Sequence, residues 1–194
     1  MTKNATLSDT TTYNLIREVI RRIGDDPSRE GLLDTPKRVA KSWGELYAGY
    51  ELESKIEEVL GVTFNTEGYD EIVLCKNIEF FSTCEHHMLP FYGMAHVGYI
   101  PNKKLVGLSK LARLVEAYAR KLQIQERLTS NIANSLRNHL EPIGAGCVIE
   151  AKHQCMLCRG VKKQNSSMVT STLLGAFYDD PRARHEFFDL IKMG

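Results

Sequence analysis

The chain has no apolar run near the ~18 residues that a membrane-spanning helix requires. It has no excess of either charge: 25 Lys and Arg stand against 24 Asp and Glu in 194 residues, and like charges never run beyond two or three. That balance gives no electrostatic ground for a nucleic-acid partner. Low-complexity tracts are missing, and no motif repeats at a period of roughly 20–50 residues, which excludes solenoids and propellers. The stretch from Met1 to Tyr13 is polar and rich in Thr. It lacks the apolar core, roughly 7–15 residues, of a secretory signal, so a cytoplasmic location is expected. Cysteine is scarce and odd in number: Cys75, Cys84, Cys147, Cys155 and Cys158. In a reducing compartment these are thiols or metal ligands rather than a disulfide framework.

What remains is an ordinary globular composition, 43% hydrophobic and 25% charged, able to bury a core. At ~150 residues per domain the length suits one domain with an appendage. The opening residues read as helices. Tyr13, Ile16, Ile20 and Ile23 recur at helical spacing, with Ser8 or Asp9 as cap and Gly24 as stop. Thr35-Pro36 starts a second helix, with Val39, Trp43, Leu46 and Tyr47 as its buried stripe. A short third helix is expected from Ser54 to Leu60, and Gly61 to Asp70 reads as a connector.

From Glu71 the pattern changes. Ile72 to Phe81 and Phe91 to Ile100 read as strands joined by a turn around Met88-Leu89-Pro90. Helices are expected over Ser109 to Lys121 and Gln125 to Leu140. Strands follow at Cys147 to Cys155 and about Ser167 to Tyr178, then a last helix opened by Pro181. We read residues 1–70 as a helical N-terminal arm and 71–194 as an α+β core of order ββααββ. The expected core is a four-stranded antiparallel sheet with its helices on one face. Such a sheet keeps two open edges and an uncovered face, which points to a homo-oligomer that pairs them.

The sharpest chemistry lies in two short segments, Cys84-Glu85-His86-His87 and His153-Gln154-Cys155, with Cys158 close behind. His153 and Cys155, two apart on an expected strand, should leave one face together. Thiol with imidazole suits a borderline-soft ion such as Zn²⁺. Six side chains are candidates for about four positions: Cys84, His86, His87, His153, Cys155 and Cys158. Four protein ligands would make a closed structural site, three a catalytic one, and an unbound imidazole nearby would serve as general acid or base. A single buried Cys or His is usually structural; the clustering is what raises a metal site above that reading.

Weaker signals suit an anion. Gly107-Leu108-Ser109-Lys110 precedes a helix, whose N-terminus offers free N–H groups. Lys110 and Arg113 share a helix face, as do Arg38 and Lys41, and Arg159 follows the second metal segment. Taken singly, such charges are mostly solvated surface. Gln125-Glu126-Arg127 starts the next helix, and Glu126 could simply be answering the helix dipole or could accept paired N–H donors from a guanine edge.

In these residues the chain closely resembles the GTP cyclohydrolase I family, of the tunnelling fold (T-fold). The matching stretches are Thr35-Pro36-Lys37-Arg38-Val39-Ala40-Lys41, Ser82-Thr83-Cys84-Glu85-His86-His87, Gly107-Leu108-Ser109-Lys110, Gln125-Glu126-Arg127-Leu128-Thr129, His153-Gln154-Cys155 and Arg159-Gly160-Val161, with a weaker match at Arg184 and Glu186-Phe187. The resemblance implies that Cys84, His87 and Cys155 bind a catalytic Zn²⁺ while His86 and His153 stay free as acid and base groups. It implies that Glu126 anchors guanine, helped by the Gln125 backbone, and that Arg38, Lys41, Ser109, Lys110, Arg113 and Arg159 hold a triphosphate. Ser109 would also share in proton traffic. The implied reaction takes GTP and water to 7,8-dihydroneopterin triphosphate and formate, the entry to folate or pterin cofactors. The implied assembly is a decamer of two pentameric rings, with sites at subunit contacts. Two departures stand out: Cys158 occupies a position where the family usually has no cysteine, and the N-terminal arm is short. The rival readings are a non-catalytic, zinc-stabilised nucleotide- or protein-binding module and a T-fold relative acting on another pterin or deazapurine.

Overall fold

The computed structural model describes Leu7 and residues 9–193. The chain divides into two compact units, residues 1–48 and 49–194. In the first, α1 (Thr10–Arg22) packs on α2 (Thr35–Leu46). Ile16, Ile20 and Ala40 are buried between them, edged by Tyr13, Val39 and Trp43. Asp9 caps α1 by accepting from the Thr12 N–H at 2.7 Å; Ser8, the other expected cap, lies outside the described residues. Ile23 does not join the stripe, because the helix has ended at Arg22 and the side chain is exposed. Asp34, not Thr35, stands at the cap position of α2.

The second unit opens with the short helices α3 (Gly49–Leu52) and α4 (Ile56–Leu60). Its strands are β1 (Thr63–Asn65), β2 (Val73–Cys84), β3 (Pro90–Ile100), β4 (Lys104–Val106), β5 (Leu122–Gln123), β6 (Gly144–His153) and β7 (Met168–Gly175). Its longer helices are α5 (Leu108–Ala119) and α6 (Gln125–Leu140). After β6 comes α7 (Gln154–Leu157), and after β7 come α8 (Ala176–Asp179) and α9 (Pro181–Lys192).

The four expected strands pair antiparallel in the order β2-β3-β6-β7, as the ββααββ reading requires. The sheet has five strands rather than four, because the two residues of β5 pair parallel with the end of β2. The connector expected over 61–70 also holds β1, which forms a small ladder with β4.

Side-chain alternation explains the layers. On β3, Phe91, Ala95, Val97 and Tyr99 are fully buried, as are Leu111, Leu114, Leu128, Ile132 and Leu136 from α5 and α6. Each of the buried Phe, Val, Leu and Ile side chains contributes roughly 1.5–3 kcal/mol by leaving water. The other sheet face is not bare, as the sequence reading had it. Phe177 and Phe187, from α8 and α9, stack at 4.6 Å and pack with Val148, Ile72, Leu74, Ile100 and Leu173 at one end of it. A side chain at Gly98 would meet Phe187 at 2.7 Å, so glycine there lets the helix approach. The chain leaves β7 at Gly175, whose φ of +58° ends the strand before the expected Tyr178.

Candidate active site

β2 runs on to Cys84, and the chain reverses within five residues into β3. The Met88 N–H donates to Cys84 O and the Cys84 N–H to Leu89 O, both at 2.8 Å. Met88 closes this turn in the left-handed region, at φ +53°. β5 holds the turn from the side, where the Glu85 N–H donates to Gln123 O at 3.0 Å. The turn thus presents His86 and His87 beside the buried Cys84.

The second segment arrives from β6. His153 is the last residue of that strand and Cys155 lies in the first turn of α7, so the two do not share a strand face as expected. The strand ends because the chain passes directly into helix at Gln154. Even so, Cys84, His87 and Cys155 converge, with their ligand atoms all within 4.8 Å of one another. Among the described residues this is the one group of three or more His, Cys, Asp or Glu side chains close enough to share an ion. Two sulfurs and an imidazole are the donor set that Zn²⁺ takes, and three protein ligands leave a coordination position open.

Around that group the other candidates are ordered. His87 Nδ1 lies 3.8 Å from Cys84 Sγ and His86 Nδ1 lies 3.9 Å from it. Arg159 Nη1 is 3.2 Å from His87 Nε2. A guanidinium only donates, so the ring accepts there and Nδ1 is the nitrogen that faces the thiols. Burial and the neighbouring Cys84 sulfur push the Cys155 thiol up, while the Arg159 charge pulls it down. A bound cation would reverse that balance and hold the thiolate. His153 stacks face to face on the buried Phe91, with centroids 4.6 Å apart and planes 2° from parallel. Burial lowers its pKa, and the nearby Glu126 carboxylate partly offsets this.

Glu126 and Arg127 are exposed on the first turn of α6, while Gln125 beside them is buried. Sequence reasoning passed over two contacts here. Arg127 forms a bidentate pair with Glu85, and the Gln125 side chain, not only its backbone, reaches His153 Nε2 at 2.8 Å. The signal for the first was present, since Glu85 and Arg127 both lie inside the matching motifs.

Other predicted residues stand apart. Ser109 and Lys110 lie in the first turn of α5, behind Gly107 at the cap position, so Ser109 does not cap the helix. Arg113 lines a groove with Lys55, Glu58 and Glu116. Among the described residues no hydrogen bond or ion pair ties Ser109, Lys110 or Arg113 to the Cys84, His87 and Cys155 group. In the first unit, Arg38 pairs with Asp34 at 3.1 Å and Lys41 is exposed one turn on. Cys158 is exposed, and its thiol donates to Gln154 O at 3.0 Å. A cavity of about 390 Å³ on the opposite sheet face, between Glu79, Tyr92, Met94 and Glu150, contains none of these residues.

The profile of the GTP cyclohydrolase I family matches residues 12–192. GTP cyclohydrolase 1 of Wolinella succinogenes is 56% identical over 177 residues, spanning 91% of this chain and 94% of that protein. The Leptospira biflexa protein of the same name is 52% identical over 181 residues, 93% of this chain and 98% of that one. The Rattus norvegicus protein is 51% identical over 174 residues, 90% of this chain and 71% of its own length. With the profile spanning nearly the whole chain and the thiol–imidazole group in place, this protein belongs to the GTP cyclohydrolase I family.

Proposed function

We propose that this chain hydrolyses GTP at C8, giving 7,8-dihydroneopterin triphosphate and formate, the first step towards folate or pterin cofactors. The observation that carries the reading is the convergence of Cys84, His87 and Cys155 with two histidines, His86 and His153, left beside them. When bound, Zn²⁺ supplies Lewis acidity and brings the pKa of a water towards ~7. Cys84, His87 and Cys155 would hold it. His153 delivers a proton to purine N7, which makes C8 electrophilic. His86 and Ser109 carry protons in the later opening and rearrangement of the ribose. Glu126 accepts the paired N–H donors of the guanine edge, with the Gln125 backbone beside it. Arg38, Lys41, Lys110, Arg113, Arg159 and Ser109 bind the triphosphate, whose role is to position the base.

Ser109, Lys110 and Arg113 have no tie to the metal group of their own chain, which suits a site shared between subunits. The sheet also has open edges at β5 and β7. The reading therefore includes a decamer of two pentameric rings acting in the cytoplasm. No helix among the described residues is long and apolar enough to cross a membrane.

The test is to incubate metal-analysed protein with GTP, with and without a chelator, and follow formate together with pterin absorbance. Both products, lost on chelation and restored by Zn²⁺, support the reading. Bound zinc and bound GTP with neither product would replace it with a nucleotide-binding module.

A further inference from the structure

Gln125 is 1% exposed, and every polar atom of its side chain is engaged. Its amide nitrogen donates to Ile149 O at 3.0 Å, to Met168 O at 2.9 Å and to Thr170 Oγ1 at 3.1 Å. Two of these partners are carbonyl oxygens, which only accept. The third has no proton to spare. Thr129 Oγ1 donates to Gln125 O at 2.7 Å, so its own lone pair must accept from Thr170 Oγ1, 2.6 Å away. Thr170 has then spent its single proton and can only accept from the amide. Three acceptors thus fix which end of the amide is nitrogen. A flipped amide would set its oxygen against two carbonyls.

The amide oxygen is therefore committed to His153 Nε2, at 2.8 Å. A carbonyl oxygen only accepts, so Nε2 must donate. In a neutral imidazole one nitrogen carries the proton, which leaves Nδ1 with a free lone pair. Phe91 fixes the plane of the same ring by stacking at 4.6 Å, and Gln125 fixes its rotation within that plane.

We propose that the Gln125 side chain is a positioning residue that holds His153 as the Nε2–H tautomer and so leaves Nδ1 as the bare ring nitrogen, the one that a substrate atom would meet. The part played in the reaction rests on the cyclohydrolase reading; the tautomer rests on the hydrogen-bond network alone.

The experiment is solid-state ¹⁵N spectroscopy of zinc-loaded protein labelled at its histidine rings, at mildly alkaline pH. A parallel spectrum of His153→Asn identifies the His153 signals by subtraction. The expected wild-type result is a protonated Nε2 and a bare Nδ1. In Gln125→Met, which keeps the length and removes both polar groups, His153 should shift to Nδ1–H or to a mixture. The kcat for formate release should then fall about 10–100-fold with bound zinc unchanged, at or below the 10²–10⁴-fold that a general acid or base contributes. A wild-type ring protonated on Nδ1 overturns the proposal even if the Met variant fails to fold. So does a folded Met variant whose His153 signals do not move. A wild-type protein that shows the Nε2–H tautomer but releases no formate would sink the cyclohydrolase reading and leave the assignment of the proton standing.

Discussion

Arg127 grips Glu85 through two parallel hydrogen bonds of 2.7 and 2.9 Å, and so fastens the turn carrying His86 and His87 to the first turn of α6. The guanidinium holds the Glu85 carboxyl below its ordinary range, chiefly through those bonds. Both side chains are partly exposed, so the pair adds little to global stability. Its effect is local, on the residue next to Cys84 of the candidate metal group. In Arg127→Met the zinc affinity should drop about 10-fold or more, in line with other outer-shell partners of metal sites. Competition with a chromophoric chelator measures the affinity, and a thermal melt of the same variant should change little.

The three converging side chains, Cys84, His87 and Cys155, should each be indispensable to zinc binding. Cys84→Ala and Cys155→Ala are expected to lose stoichiometric zinc and to cut formate release by about 10²-fold or more, since the metal supplies several kcal/mol of charge stabilisation. Cys158→Ala should behave differently. Its thiol is exposed and bonds only to Gln154 O, so zinc content and formate release should stay within about twofold of wild type, typical of a surface change. Metal analysis beside a formate assay checks all three.

How much of this was legible beforehand follows from the kind of signal involved. The strands carrying Phe91, Ala95, Val97 and Tyr99 announce themselves by alternation, and the helix stripes of Leu111, Leu114, Leu128 and Ile132 by their spacing. The candidate metal ligands sat inside two short motifs, Cys84 and His87 three residues apart in one and Cys155 in the other. What stayed hidden was decided by neighbours. β5 is two residues long and exists only because the end of β2 lies alongside it. Cys155 was placed on a strand because nothing local marks Gln154 as a helix start. The Gln125 amide and His153 meet across the interface of α6 with β6, a contact that no periodicity encodes.

His96 offers a pH test away from the metal. It sits on β3, and its Nδ1 accepts from the Asn77 N–H at 3.4 Å, beside the bulge in β2. Burial lowers its pKa from 6.5; Glu150 opposes that shift and Lys76 adds to it. The unfolded chain therefore binds the proton more readily than the folded one. His96 leaves stability undiminished above its unfolded value of 6.5, and stability falls as the pH drops through the window below it. Urea unfolding at several pH values should show a shallower acid decline in His96→Gln than in wild type.

Gly175 tests the backbone. Its φ is +58°, and a Cβ there would lie 2.4 Å from Ile143 O. Gly175→Ala should destabilise the protein by about 1–3 kcal/mol, the range for a strained backbone position, with the loss read from the urea midpoint.

Cys84 ends β2, and Cys155, about seventy residues on, lies in α7 just past the end of β6; the two strands flank β3. An ion gripped by both is a cross-link as well as a catalyst's metal. The sheet has already met the entropy of closing that long loop, so the ion meets ligands gathered in advance and finds no equivalent in the unfolded chain. By mass action, free metal at 100 times its dissociation constant would add about 2.7 kcal/mol to the folded state. The melting temperature of this protein should therefore climb with free zinc and fall on chelation, making heat resistance a gauge of how fully its active sites are loaded.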